Sequence, residues 1–194
     1  MQLLTAILVV TISSPNFAQT KEEKRDAKAE RREERKLLKA ERKNEEQQRL
    51  TENYETIVAQ IKDTAFVIET HTLFDRYNNS YPVAPTTNFV MVDGDKLTLQ
   101  LGFLGRVGAN GLGGITIEGN ISDYEILEMK ENGPARLRMH VSSLLLGSTE
   151  VGITISRDGS SRAYVSGAFR TRLSFSGNFT PLEESIVYKG IVTY

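Results

Sequence analysis

From about Thr64 to the C-terminus, short runs of alternating apolar and polar residues recur, each closed by a turn cluster, and no helical period interrupts them. Alternation with period two gives a strand one buried and one wet face. A chain built of such segments hides its apolar sides only by closing its sheet on itself or packing two sheets together. The segments after FVMV (89–92) are KLTLQL (96–101), ITIEG (115–119), YEILEM (124–129), ARLRMHV (135–141), TEVGITIS (149–156), RAYVSGAF (162–169), RLSFSGNF (172–179) and SIVYKGIVTY (185–194). Asp93-Gly94 between the first two reads as the centre of a type I′ hairpin turn. Leu97, Leu99 and Leu101, Leu137, Met139 and Val141, and Val151, Ile153 and Ile155 are the expected inward faces.

These signals predict an all-β domain over 64–194, an antiparallel barrel-like (lipocalin-like) or sandwich arrangement of about ten short strands, preceded by a charged N-terminal helix. The glycine-rich GFLGRVGANGLGG (102–114) is the one stretch that resembles a phosphate-binding loop. It has neither the G-x-G-x-x-G nor the G-x-x-x-x-G-K-[ST] spacing, and the segment after it is a strand where such loops open a helix. It therefore reads as a strand-to-strand connection, with Arg106 and Phe103 as candidate ligand or surface contacts together with Tyr77 and Tyr81.

Residues 19–49 form a charged helical arm, free of Gly and Pro from Lys21 onward. At 100° per residue its basic side chains fall within an arc of about 140°, with most acidic ones opposite. Arg25, Lys28, Arg32, Arg35 and Lys39 lie along that stripe. The stripe suits an anionic membrane surface, or self-association by pairing with the acidic stripe of a second copy; a long coiled coil fails, since only Leu37 and Leu38 are large and apolar before Leu50, and a solvated spacer is the plain alternative. Over 50–63, Leu50, Tyr54, Ile57, Val58 and Ile61 recur at helical spacing and predict an amphipathic helix docked on the β domain.

Residues 1–18 read as a signal peptide, with an apolar run from Leu3 to Ile12 too short to span a bilayer and cleavage after Ala18. The chain has no cysteine. Export without disulfides fits a bacterial periplasm or cell envelope better than a eukaryotic extracellular space. Nucleic acid is excluded as a partner by the near balance of 24 basic and 25 acidic residues and by a basic block diluted with acids.

Catalytic signatures are missing. Two histidines, His71 and His140, cannot form a three-His zinc site, and no nucleophile elbow or S-x-x-K pair occurs. No cofactor or metal is implied. A carboxylate pair drawn from Glu118, Asp123 and Glu125 is the remote hydrolase reading. The aromatic residues, Phe66, Phe74, Phe89, Tyr164, Phe175 and Tyr188 among them, allow a second reading, a barrel that carries a lipid-like or other small apolar ligand.

FVIE (66–69), VAPTTNFVMVDGD (83–95), LGFLGR (101–106), GLGGITIEG (111–119) and LSFSGNFTPL (173–182) resemble the domain-of-unknown-function family DUF4251 of exported proteins from Bacteroidetes-type bacteria. The resemblance covers about residues 50–190. It implies an all-β, barrel-like domain behind a signal peptide and lends no activity. The sequence thus predicts a non-enzymatic envelope protein acting by binding or assembly, its partner an envelope protein, an anionic surface or another copy.

Overall fold

The computed structural model describes residues 21–75, 77–102, 114–130, 133–145, 147–166 and 173–193. The signal-peptide reading, Phe103, Arg106 and Phe169 lie outside them. A single 42-residue helix, α1 (Lys21–Lys62), leads into the strands. The chain divides between Glu45 and Glu46 into two units. In the first, every side chain from Glu23 to Glu45 is exposed, so the helix there rests on the intrinsic preference of its Ala, Glu, Lys and Arg residues.

The second unit contains nine strands among the described residues: β1 (Ala65–Phe74), β2 (Ser80–Pro82), β3 (Phe89–Asp93), β4 (Lys96–Gly102), β5 (Gly114–Met129), β6 (Ala135–Ser143), β7 (Gly147–Ile155), β8 (Ser160–Ser166) and β9 (Leu173–Pro181). All pairings are antiparallel, and β9 returns to β1, closing β1 and β3–β9 into an eight-stranded barrel. β2 is a short addition on the Thr72–Phe74 end of β1. The choice between barrel and sandwich is settled by that closure.

Cross-strand rows show how the alternation is used. Leu137, Ile153, Ala163, Phe175 and Leu73 face one another across five consecutive strands and point inward. A second row runs Ile68, Val90, Leu99, Ile117. All nine inward residues expected from sequence are buried in the core. Tyr54, Ile57 and Ile61 of α1 join the same core, and burying each contributes about 1.5–3 kcal/mol relative to leaving it in water. Polar contacts fix the helix end: the Tyr124 hydroxyl donates to the Ile61 carbonyl at 2.8 Å, and Asn53 Nδ2 donates to the Arg157 carbonyl at 2.8 Å.

Three details differ from the sequence expectation. ITIEG and YEILEM are one strand, because β5 pairs with β4 through Asn120 and from there with β6, absorbing the polar stretch between them in register shifts at Ile121/Asp123 and Ile126/Glu128. Bulges of this kind bend a strand without reversing it, so a polar cluster imitates a turn. The first hairpin is centred on Gly94 and Asp95, with Asp93 paired to Lys96. Only Gly94 has a positive φ, 60°, which is the pattern of a type II′ turn, where the first central residue alone needs it. The third is the terminal SIVYKGIVTY, which from Ser185 to Thr193 joins no strand ladder. Its backbone is held by other groups, described below.

Candidate functional site

The barrel interior offers no ligand chamber among the described residues. Phe66, Phe175, Leu99, Leu137, Met139, Ile153 and Ile155 fill it, each less than 2 % exposed. Between Leu97, Leu99, Ile117, Val141, Val151 and Val165 remains a cavity of about 10 Å³, at the lower limit for a single water. An eight-stranded barrel is just wide enough either to be filled by side chains or to hold one small ligand, and here the side chains take the space. Phe66 and Phe175, two of the aromatics that suggested a carrier, are part of that filling.

The carboxylates considered for hydrolysis are each engaged by a base. On the outer face of β5 and β6, Asp123 opposes His140, with Oδ2 3.4 Å from Nδ1, and Glu125 accepts from Arg138 Nε at 3.1 Å. Glu118 accepts from Lys189. Glu128 continues the ladder, bonded to Lys130 at 2.8 Å and 3.3 Å from Arg136. The Lys130 bond holds the Glu128 carboxyl below its ordinary range. An exposed ladder of opposite charges sets register and contributes little else. Among the described residues no three of His, Cys, Asp and Glu converge as metal ligands, and His71 contacts Thr72 Oγ1 at 2.9 Å.

Tyr77 and Tyr81 are brought together by Asp75. Its Oδ1 accepts from the backbone N–H of Tyr77 and of Asn79, both at 2.8 Å. Its Oδ2 accepts from Asn79 Nδ2 at 2.8 Å and from the Tyr81 hydroxyl at 3.3 Å. The Asn79 side chain leads in pulling the Asp75 carboxyl below its usual pKa. Both tyrosine rings remain exposed. The loop brings Asn78, at φ 64°, beside a groove on the outer wall where β1, β9 and β8 adjoin.

That groove, about 360 Å³, is lined by Phe74, Asn78, Thr154, Arg162, Tyr164 and Ser174, with the Ala163 and Phe175 positions beneath. Strand pairing explains the order: Phe74, Ser174 and Tyr164 form one row, and Arg162 with Thr154 and Ser176 forms the next. The Tyr164 hydroxyl donates to Glu150 Oε1 at 3.0 Å, and its ring passes over Gly152, where a Cβ would stand 2.2 Å from Cε1. A glycine there leaves room for the ring.

The C-terminal segment forms a strap over the outer wall. Phe89, Gln100 and Thr116 point away from the core, yet each is at most 1 % exposed. Gln100 Nε2 donates to the carbonyls of Tyr188 (2.6 Å) and Thr87 (3.2 Å), while its Oε1 accepts from the Gly190 N–H (2.7 Å) and Thr116 Oγ1 (2.9 Å). Backbone bonds from Tyr188 to Thr86 (2.7 Å) and from Thr193 to Thr116 (2.8 Å) complete the attachment. Sequence reasoning missed Gln100, since a glutamine between leucines is what any solvent-facing strand position shows. Arg162 was missed, and Phe74 was read only as an aromatic that could line the barrel's cavity, for a different reason: 88 positions apart in sequence, they come together on the outer wall only through the β8–β9–β1 pairings.

The fold and these surfaces define an all-β protein of the closed antiparallel barrel class, capped by a helix and strapped by its own C-terminal segment. The Domain of unknown function (DUF4251) model matches residues 48–179, and the chain belongs to that family. A crystal structure of a DUF4251 family protein from Bacteroides eggerthii DSM 20697 is similar at 26% identity and TM-score 0.55, covering 69% of this chain and 90% of that one. No curated protein matches the chain. The family match ends before the strap begins, and covers only the last part of α1.

Proposed function

We propose that this is an exported envelope protein that acts by binding or assembly, with the barrel as scaffold and the charged arm of α1 as the working surface. One observation carries the reading. The barrel spends its interior on its own side chains, whereas Arg25, Lys28, Arg32, Arg35 and Lys39 stand exposed on a helix with no buried residue from Glu23 to Arg49. A helix that buries nothing is not needed for the core, and a stripe of cations is drawn to anionic lipid headgroups or to an acidic stripe. The apolar run Leu3–Ile12 followed by Ala18-Gln19 supports export, as does membership in a family with a Bacteroides representative. The chain is proposed to be non-enzymatic, since each of its candidate acids lies against a basic side chain, Glu125 and Glu118 in ion pairs with Arg138 and Lys189 and Asp123 beside His140.

The test is flotation with vesicles at low salt, comparing the wild-type chain with a variant carrying Glu at the five stripe positions. Wild type is expected to float with vesicles containing anionic lipid, to stay behind with zwitterionic ones and to detach as salt screens the charges. Equal flotation of the variant, or no flotation of wild type, removes the membrane reading. Sedimentation of the two proteins separately and mixed then decides whether the stripe joins copies instead.

A further inference from the structure

We infer that the outer-wall groove between Phe74, Tyr164 and Arg162 is a binding site for a small organic carboxylate with a flat apolar body. The inference goes beyond the proposed role of the arm and uses none of its residues. Among the described residues that line the groove Arg162 is the only charged side chain, so they bring one positive charge and no acid. Among the described residues it takes part in no ion pair, in contrast to Arg136 and Arg138 on the same barrel. A guanidinium with free donors takes a carboxylate by two parallel N–H···O bonds.

The rest of the pocket selects shape. Phe74 and Tyr164 flank Ser174 in one cross-strand row, giving two aromatic surfaces with a hydroxyl between them, one row from the cation. At about 360 Å³ the groove is within the size range of small-molecule sites. It is also preorganised. Tyr164 is fixed by Glu150 and by the space over Gly152, and Asn78 is presented by a loop in which Asp75 accepts from Tyr77, Asn79 and Tyr81. Fixing side chains before a ligand arrives lowers the ordering cost of binding. A flat apolar body meets the rings while its carboxylate reaches Arg162, with Asn78, Thr154 and Ser174 as further polar contacts.

The experiment is titration of the full chain with benzoate, followed by ¹H–¹⁵N and aromatic NMR, with benzyl alcohol and inorganic phosphate as comparison probes. Benzoate is expected to shift Phe74, Tyr164 and Ser174 saturably, with benzyl alcohol binding about tenfold more weakly because it cannot make the charge-assisted pair. Arg162→Gln is expected to weaken benzoate by about tenfold as well, with its unfolding midpoint unchanged because the side chain is exposed. Absence of saturable shifts at these residues in wild type overturns the inference, as does full benzoate affinity in Arg162→Gln. Phosphate binding as tightly as benzoate would overturn it too, by showing that the site reads charge alone.

Discussion

The side-chain oxygen of Gln100 accepts the backbone N–H of Gly190 at 2.7 Å, joining a strand of the barrel wall to a segment 90 positions later. Both amide hydrogens and both oxygen lone pairs of Gln100 are used, and the residue is fully buried on what would otherwise be a wet face. Replacing it with Leu leaves the carbonyls of Tyr188 and Thr87, the Gly190 N–H and the Thr116 hydroxyl without that partner. Each newly unsatisfied buried group costs about 1–3 kcal/mol, less whatever water recovers at the strap's edge. Gln100→Leu is expected to lower the urea midpoint and open the 182–193 segment to proteolysis. A resistant strap would show that the side chain contributes nothing to its attachment.

Ile61 and Leu38 lie on the same helix with opposite fates, Ile61 at 0 % exposure and Leu38 at 47 %. Ile61→Ala opens space in the core and is expected to cost about 2–5 kcal/mol, while Leu38→Ala stays within about 0.5 kcal/mol. Equilibrium denaturation followed by a barrel signal separates them. Equal losses would mean that the arm is as integral to the fold as the helix end.

The contrast between Ile61 and Gln100 shows where the sequence speaks. Helical spacing of Tyr54, Ile57 and Ile61 announces a docked face, and alternation in β4, β6 and β7 names the inward residues, because both record which side of one element meets oil. Gln100, Arg162 and Phe74 depend instead on which strands become neighbours and on what later crosses them. That information resides in the closure of β9 on β1 and in the path of the strap, neither of which has a local period. The β5 bulges fail to read for a related reason: Asn120, Ser122 and Asp123 carry turn chemistry, yet pairing with β6 continues past them.

Asp75 predicts a local pH response. Its carboxyl is held below the usual range, first by the Asn79 side chain and then by backbone N–H bonds and the Tyr81 hydroxyl. A depressed folded pKa means that its support for the loop is complete above the ordinary aspartate value of about 3.9 and is lost as pH falls below it through the folded value. Amide shifts of Tyr77 and Asn79 are expected to stay constant down to about pH 4 and to move below it, a transition absent in Asp75→Asn. The loop carries Asn78, so that variant is also expected to weaken benzoate in the groove. A midpoint at or above the ordinary value would refute the hydrogen-bonded arrangement.

Thr64 is the joint between α1 and β1, and its backbone has φ 51°. A β-branched residue in the left-handed region is a true outlier, costing about 1–2 kcal/mol where glycine pays almost nothing. The position is kept because the joint needs that turn: the Thr64 carbonyl accepts from the Gly94 N–H at 2.9 Å, tying the helix end to the first hairpin, and the Thr64 N–H donates to the Ile61 carbonyl at 3.3 Å. Both bonds are backbone bonds and survive substitution, whereas the Thr64 hydroxyl bonds only the adjacent Asp63 carbonyl. Thr64→Gly therefore removes the strain and gives back part of the gain as added freedom of the unfolded chain, for a net stabilisation of up to about 1 kcal/mol. Thr64→Ala keeps a Cβ and is expected to gain less. Denaturant midpoints of the two variants check the argument, and a loss of stability in Thr64→Gly would mean that the threonine side chain contributes more to the joint than its left-handed backbone costs.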